Sequence, residues 1–329
     1  MRALGLVGDI GGTHARFALA DVGDEGEIRL HHATALKAAD YPHLEAALSD
    51  YLEGFGHPKL AFLALACAGP VINGVVRFTN LAWTVAADSI ALHFGVPNVV
   101  LVNDLGAFAW AAQELAPKDL REIGEVSTRR GGLLGGTVGI IGPGTGLNAS
   151  ALVAAPYVGQ PLVCVGEAGH VSFAPCDELD DQILCVLRRR YGRVSAERVV
   201  SGPGLLNLYE ALCEIEGASP TCPTPREVGE RAALGDRLAA LAVERFMLSL
   251  ATLAGDMVLT FGATGGLYIA GGVTLILIDQ LNAVQFRQRF EDKGRFRDYL
   301  SAVPTFLIRH PYAALIGAAR AALAAEASA

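Results

Sequence analysis

The chain has 329 residues, more than the roughly 250–300 at which a single hydrophobic core stops growing, so its length predicts two domains. Hydrophobic residues make up 52% of it, and its net charge of −8 includes no basic block, which argues against a nucleic-acid partner. Its six cysteines lack CxxC or zinc spacing and its N terminus lacks a secretion signal, so we expect reduced thiols in a cytoplasmic protein.

A glycine-rich turn near the N terminus separates two predicted strands, residues 3–7 and 16–20. It reads Gly8-Asp9-Ile10-Gly11-Gly12-Thr13. Glycines let a phosphate approach backbone N–H groups, and Thr13 adds a hydroxyl donor. Asp9 would repel phosphate unless a cation lay between them, so we expect it to face a magnesium-bearing phosphate, directly or through water. An ordinary tight hairpin is the alternative interpretation.

Helical and strand patterns alternate after this turn. Apolar residues recur at helical spacing over 41–56 and 86–94, whereas near-continuous apolar runs at 60–66 and 98–102 predict buried strands. This alternation is typical of an α/β sheet with parallel strands.

The strand at 98–102 runs directly into Asn103 and Asp104, and a helix is predicted over 107–115. Ligands of open α/β sheets bind beyond the carboxyl ends of the strands. Asp104 is therefore a candidate general base. The alternative is that it only caps the helix that follows.

A second glycine-rich turn, Gly142-Pro143-Gly144-Thr145-Gly146-Leu147-Asn148, joins the apolar runs 138–141 and 149–155. A shift of 134 positions superposes Gly8 on Gly142, Gly12 on Gly146 and, just after the two turns, Ala15 on Ala149. This weak repeat suggests two related lobes, each presenting a phosphate-facing hairpin to a shared cleft. Neither a GxGxxG dinucleotide fingerprint nor a GxxxxGK[ST] motif fits the chain.

Polar candidates follow in the second half of the chain. Glu167 and His170, three apart around a glycine, can converge on one small polar ligand; as metal ligands they would lack a third partner at recognisable spacing. Glu197 alone is typical of a solvated charge. The apolar run 265–270 ends in Gly271 and Gly272, which would let a flat ring approach the backbone.

Five further segments complete the prediction. We expect a long amphipathic helix over 236–256, a solvated charged helix with a turn over 287–297, and an alanine-rich helix over 313–325. The uncharged stretches 131–166 and 257–278 are long enough to cross a membrane, but their glycines and prolines favour buried strands, so we expect no membrane span.

Seven separated motifs resemble the bacterial glucokinases of the actin-like/hexokinase fold. They are GDIGGT at 8–13, LVND at 101–104, GPGTGL at 142–147, EAGH at 167–170, SAERVVSGPGL at 195–205, IAGGV at 269–273 and FEDKGRF at 290–296. Their order is that of the family and they span nearly the whole chain. The resemblance implies a two-lobed actin-like/ribonuclease H-like α/β fold with duplicated domains around a central cleft. It further implies a small domain of 1–110 plus 311–329, a large domain of 111–310, and a homodimer.

The same resemblance implies a function in glycolysis, the transfer of the γ-phosphoryl group of ATP to the 6-hydroxyl of glucose with Mg²⁺. Asp104 would be the general base, and the sugar would also contact Asn103, Glu167, His170 and Glu197. Residues 8–13 and 144–146 (Gly144, Thr145 and Gly146) would hold phosphates, and Gly271 and Gly272 would face the adenosine. We assign no direct metal ligand; Asp9 is a candidate that would bind Mg²⁺ through water.

Three positions depart from the family pattern. His14 stands where asparagine is usual, Asn148 where glycine is usual, and Ala168 where glycine is usual. The first two lie beside the predicted phosphate turns and leave open a sugar- and nucleotide-binding sensor with little turnover. A kinase of mannose or an N-acetylhexosamine is also open. The chain lacks the CxCGxxxC zinc motif of the related ROK group and an N-terminal DNA-binding helix pair, so we do not expect a sugar-responsive repressor.

Overall fold

The computed structural model describes residues 3–78, 81–126, 136–155 and 160–327. Over these residues the chain forms two compact units. The first comprises Met1–Leu115, Pro156–Val163 and His310–Ala329, and the second Ala116–Ala155 and Cys164–Arg309. The domain bounds predicted from the sequence stay a prediction.

The first unit is built on a five-stranded sheet and a separate two-stranded ribbon. In chain order the strands are β1 (Ala3–Ile10), β2 (His14–Val22), β3 (Ile28–Lys37), β4 (Phe62–Cys67), β5 (Val75–Arg77), β6 (Thr84–Ala86) and β7 (Asn98–Asn103). Its helices are α1 (Leu44–Glu53), α2 (Ala87–Phe94), α3 (Asp104–Ala111) and α11 (Ala313–Glu326). The sheet order is β3-β2-β1-β4-β7, in which β1, β4 and β7 are parallel and the remaining pairs antiparallel.

The two faces of this sheet differ in side-chain size because successive residues of a strand point to opposite faces. Leu63 and Leu65 of β4 join the core that contains α1 and α2, whereas Ala64 and Ala66 join the core that contains α3 and α11. The alanine-rich α11 packs closely against α3, since a Cβ on Gly317 would lie 1.8 Å from the carbonyl oxygen of Ala107.

The second unit is built around a six-stranded sheet and seven α-helices in the described residues. Its strands are β8 (Leu120–Glu122), β9 (Val138–Pro143), β10 (Leu147–Val153), β11 (Leu162–Val165), β12 (Gly266–Ile269) and β13 (Thr305–Ile308). The unit boundary falls within β11, whose first two residues are counted with the first unit. Its helices are α4 (Glu178–Tyr191), α5 (Gly202–Ile215), α6 (Pro225–Ala233), α7 (Arg237–Phe261), α8 (Gly272–Leu277), α9 (Ala283–Glu291) and α10 (Arg297–Ser301).

The second sheet repeats the first. Its order is β11-β10-β9-β12-β13-β8, with an antiparallel β9–β10 hairpin followed by the parallel neighbours β12 and β13. The first five strands of that order, β11-β10-β9-β12-β13, correspond one to one to β3-β2-β1-β4-β7 of the first sheet. Each described pair also has the same direction, parallel or antiparallel, as its counterpart in the first sheet. The weak repeat in the sequence is therefore a duplication of the α/β unit, as the predicted fold class requires.

The predicted elements are mostly present. The helices expected at 41–56, 86–94, 236–256 and 313–325 correspond to α1, α2, α7 and α11. In the described ranges, α7 is the one helix long and apolar enough to cross a membrane, but 72% of its apolar window is buried within the protein. The uncharged stretch 131–166 lies partly outside the described residues; its described part contains β9, β10 and β11, and 257–278 contains the end of α7, β12 and α8.

The prediction of a solvated helix over 287–297 is wrong for its first residue. Arg287 is only 6% exposed, and its guanidinium donates to the carbonyl oxygen of Val303 at 2.9 Å and pairs with Glu291 at 2.7 Å. It also lies over the ring of Phe290, 4.7 Å from the centroid. An arginine with this many acceptors can be buried, which charge density in a sequence does not reveal.

Candidate active site

The first predicted phosphate turn is the connection between β1 and β2. The Gly11 N–H donates to the carbonyl oxygen of His14 at 2.9 Å, and Gly12 and Thr13 are exposed. Gly8 lies inside β1, where a Cβ would meet Leu65 Cδ2 at 2.6 Å. Core packing therefore accounts for Gly8, whereas Gly11 and Gly12 are the glycines at the exposed turn.

Asp9 lies directly across the hairpin from Arg16. The two residues are register partners of β1 and β2, and Arg16 Nη1 is 2.9 Å from Asp9 Oδ2. Burial raises the pKa of the Asp9 carboxyl, while the charge and hydrogen bond of Arg16 act to lower it. The hairpin thus presents a largely buried carboxylate with one cation already beside it.

Asp9 and Asp104 lie at the same edge of the first sheet. Ile10, Cys67 and Asn103 end the parallel strands β1, β4 and β7 and are register partners. Burial raises the pKa of the Cys67 thiol, and the negative charges of Asp104 and Asp9 raise it further. Asp9 precedes Ile10 and Asp104 follows Asn103, so the carboxyl edge of this sheet carries two acids, where a ligand site of an α/β sheet is expected.

Asn103, not Asp104, is the N-cap of α3. The Asn103 Oδ1 accepts from the N–H groups of Leu105 and Gly106 at 3.0 and 3.3 Å, and its Nδ2 donates to the carbonyl oxygen of Gly69 at 3.2 Å. Asp104 is the first residue of the helix, and its Oδ1 accepts from Leu105 N–H at 2.9 Å. The N-cap is therefore Asn103 rather than Asp104, and the carboxylate of Asp104 lies in the first turn of the helix.

The second predicted phosphate turn joins β9 to β10 and binds a carboxylate of its own unit. The Gly144 N–H donates to the Gly146 carbonyl oxygen at 2.8 Å, and the Gly202 N–H donates to that of Gly144 at 2.8 Å. The Leu147 N–H donates to Glu197 Oε2 at 2.9 Å. Glu197 is therefore not a solvated charge; it is fixed against the first residue of β10.

Glu167 is also attached to β10, through the side chain of Asn148. The Asn148 Nδ2 donates to Glu167 Oε2 at 3.2 Å, and its Oδ1 accepts from the Ala168 N–H at 3.0 Å. His170 follows in the same short helical turn; its N–H donates to the carbonyl oxygen of Glu167 at 3.0 Å and its ring is exposed. Glu197 and Glu167 therefore contact consecutive residues of β10, Leu147 and Asn148.

Gly271 and Gly272 lie between β12 and α8. Gly271 has a φ of +118°, and a Cβ there would lie 2.3 Å from the carbonyl oxygen of Pro143. No atom lies within 4 Å of the corresponding position on Gly272, which is exposed. Gly271 is needed by the fold, and Gly272 offers an open backbone surface.

The sequence-predicted site residues thus form one group in each unit. In the first unit Asp9, Asn103 and Asp104 share a sheet edge, and in the second Glu167 and Glu197 contact β10 beside the turn at 144–146. Sequence analysis did not find the partners of these residues, Arg16, Cys67 and the side chain of Asn148. Asn148 was noticed only as a departure from the family.

A dedicated metal cage does not appear in the described ranges. No group of three or more His, Cys, Asp or Glu side chains there could hold a metal ion. A single carboxylate such as Asp9 fits Mg²⁺ that keeps most of its waters and is bound mainly by phosphates.

A duplicated α/β fold with a glycine turn in each half and an acid at the end of a parallel strand is the architecture of a sugar kinase of the actin-like superfamily. A protein-family model described as Glucokinase matches residues 6–325. A glucokinase of Caulobacter sp. (strain K31) is 45% identical over 318 residues, covering 96% of this chain and 94% of the relative. The chain therefore belongs to the glucokinase family, and its activity is the predicted ATP-dependent phosphorylation of glucose.

Solved structures agree with this assignment. A glucokinase from an Antarctic psychrotroph is 32% identical with a TM-score of 0.89, and the match covers 98% of this chain and 99% of that one. A ROK family glucokinase from Streptomyces griseus, in complex with glucose and AMPPNP, is 20% identical with a TM-score of 0.64 and coverage of 98% and 99%. The second likeness supports the fold alone.

Proposed function

We propose that Asp104 is the general base of this kinase. A primary hydroxyl is a poor nucleophile, and a carboxylate within hydrogen-bond reach can take its proton as the hydroxyl attacks the γ-phosphorus of ATP. The sugar O–H bond breaks, its proton passes to Asp104 and its electrons form the new oxygen–phosphorus bond. The bond between the γ-phosphorus and the β,γ-bridging oxygen breaks, and ADP leaves with the electrons of that bond. The observation that carries this role is the place of Asp104, at the carboxyl end of β7 and the start of α3.

The sugar contacts proposed for Asn103, Glu167, His170 and Glu197 suit a polyol. Each sugar hydroxyl both donates and accepts a hydrogen bond, and carboxylates form the stronger, charge-assisted bonds. Asn103 Nδ2 carries two N–H groups, and its bond to Gly69 uses one of them. Glu197 accepts from Leu147 through Oε2, so its other oxygen can accept from a hydroxyl.

Phosphate binding is proposed for residues 8–13 and 144–146, with Gly271 and Gly272 beside the adenosine. The exposed Gly12, Thr13 and Thr145 support this, because backbone and hydroxyl donors there are open to a ligand. Mg²⁺ would be held by phosphates and, through water, by Asp9, and it would neutralise charge on the transferring group. A homodimer is proposed from the family resemblance, and a cytoplasmic location from the cysteine pattern; sedimentation velocity tests the first.

The test of the general base is Asp104→Asn. The variant keeps the size of the side chain but removes the proton acceptor, so kcat should fall at least about 10²-fold while glucose binding, measured by calorimetry, is largely retained. Asp88→Asn is the matched control, because Asp88 lies exposed in the first turn of α2, a helix of the same unit. Near-normal turnover by Asp104→Asn would remove Asp104 from the mechanism.

Hexose choice is tested separately. The glucose-contacting groups do not by themselves distinguish glucose from mannose or an N-acetylhexosamine. We expect glucose to give the highest kcat/KM in a coupled assay with each sugar in turn. A higher value for mannose or N-acetylglucosamine would reassign the preferred substrate and leave the reaction unchanged.

A further inference from the structure

We propose that Asn148 is a positioning residue that sets the glucose affinity of this chain by orienting the carboxylate of Glu167. The inference rests on the proposed role of Glu167 as a sugar ligand. Asn148 itself would touch neither the sugar nor the reacting atoms. It is one of the three positions at which the sequence departs from the expected family pattern.

The side chain of Asn148 uses both ends of its amide. Its Oδ1 accepts from the N–H groups of Ala149 at 2.8 Å and Ala168 at 3.0 Å, and its Nδ2 donates to Glu167 Oε2 at 3.2 Å. These partners fix the orientation of the amide, because the reverse assignment would place oxygen against a carboxylate and NH₂ against two N–H groups. A glycine could make none of these contacts.

The need for such a contact follows from the exposure of Glu167. Its side chain lies on an exposed loop, where a glutamate samples several rotamers in solution. A hydrogen bond to one carboxylate oxygen restricts that freedom before the sugar arrives and leaves the other oxygen for a hydroxyl. Less ordering then remains to be done when glucose binds, which strengthens binding.

The other proposed sugar-binding glutamate, Glu197, is held by a backbone donor. Glu197 Oε2 accepts from the Leu147 N–H, one residue before Asn148, and the turn at 144–146 is closed by backbone bonds. None of these contacts uses the Asn148 side chain. Removal of the Asn148 side chain is therefore expected to raise the KM for glucose and to leave the KM for MgATP nearly unchanged.

The experiment compares Asn148→Ala with Asn282→Ala. Asn282 also accepts from two backbone N–H groups, those of Val284 and Gln285 at 3.1 and 3.2 Å, at the start of α9, and it bonds no proposed site residue. We expect Asn148→Ala to raise the KM for glucose about three- to tenfold, with kcat and the KM for MgATP changed less than about twofold. Asn282→Ala should leave all three constants within about twofold, although both variants lose an acceptor of backbone bonds.

A double-variant cycle separates positioning from a general structural effect. If Asn148 acts through Glu167, then Asn148→Ala combined with Glu167→Ala, which removes the acceptor of the Asn148 Nδ2 bond, should be no worse for glucose binding than Glu167→Ala alone. Asn148→Asp should be worse than Asn148→Ala, because it places two carboxylates together. Multiplying effects in the double variant, or an unchanged KM for glucose in Asn148→Ala, would overturn the inference.

The cycle also distinguishes this inference from the proposed function. If Glu167→Ala binds glucose normally, the proposed sugar ligand itself is wrong and the inference falls with it. If Glu167→Ala weakens glucose binding while Asn148→Ala does not, the proposed ligand stands and the positioning role alone is overturned.

Discussion

The two glycine hairpins occupy equivalent positions in the two sheets, yet they differ in their contacts with carboxylates. The β1–β2 hairpin carries its own acid, Asp9, which is paired across the strands with Arg16 at 2.9 Å. The β9–β10 hairpin carries no acid; it holds Glu197 through a backbone N–H and Glu167 through Asn148. The two copies thus share the sheet and the turn but differ in what the hairpin contributes. The first hairpin supplies a carboxylate, and the second supplies the donors that hold carboxylates from elsewhere in its unit.

The difference indicates a division of tasks. A buried acid at the first turn suits a phosphate that arrives with a cation, because the cation relieves the repulsion between two negative groups. N–H donors and an amide at the second turn suit the fixing of flexible glutamates. If this comparison is right, substitutions at matching points of the two hairpins should fail in different assays.

Among substitutions in the two hairpins, the largest effect is expected from Asp9→Asn. Loss of the charge proposed to face magnesium phosphate should lower kcat/KM for MgATP roughly tenfold or more. The stability of the folded protein, in contrast, should not fall in this variant. Burial raises the pKa of Asp9 in the folded state, so the contribution of this group is fully present below the unfolded value and is lost as pH rises through the folded one.

The Asp9→Asn variant should therefore have a Tm at pH 7 equal to or above that of the parent. The difference should disappear below about pH 4, where the carboxyl is protonated in both states. Asp21→Asn, on the exposed side of the same hairpin, is the control. A clear loss of Tm at pH 7 would mean that the Arg16 pair outweighs burial.

The next effect concerns two glycines of the first hairpin. Gly8→Ala would force a methyl group to 2.6 Å from Leu65 Cδ2 and 3.1 Å from the Phe17 ring, so we expect a loss of about 1–3 kcal/mol in urea unfolding. At Gly11 the nearest atom to a Cβ is 3.5 Å away, which is ordinary contact. Gly11→Ala should leave stability nearly unchanged and raise the KM for MgATP.

Equal stability of the Gly8→Ala and Gly11→Ala variants would contradict this division of the turn into a packed and an exposed part. An unchanged KM for MgATP in Gly11→Ala would instead argue against phosphate binding at the exposed part. The two readouts are independent, because one measures unfolding and the other measures turnover by folded enzyme.

Much of the fold could be predicted because its signals are local. The buried strands β4 and β7 are uninterrupted apolar runs, α7 and α11 keep helical spacing over many residues, and the two glycine turns mark equivalent hairpins. The edge strands β3 and β8 escaped prediction. In β3 most residues are partly or fully exposed, so the apolar alternation that marks a half-buried strand is weak.

The site was harder to predict wherever a residue depends on a distant partner. Glu197 resembles any solvated glutamate in the sequence, since its contact with Leu147 spans 50 positions. Asn103 and Asp104 were both found because a strand end is a local signal, but which of them caps α3 depends on side-chain orientation. The family resemblance supplied the role of Glu197, and residue patterns alone did not.

The smallest effect tests the second hairpin, through Gly146→Ala. A Cβ at Gly146 would lie 2.7 Å from Glu197 Oε2, the far end of a flexible side chain that can swing away at little cost to stability. Glu197 would then lose its bond to the Leu147 N–H, and the KM for glucose should rise roughly threefold to tenfold. At Gly144 the nearest atom is 4.0 Å away, so Gly144→Ala should leave glucose binding unchanged and, if the turn holds phosphate, raise the KM for MgATP. A change in the MgATP constant alone in Gly146→Ala would mean that this hairpin binds phosphate without orienting Glu197, and the contrast with the first hairpin would be lost.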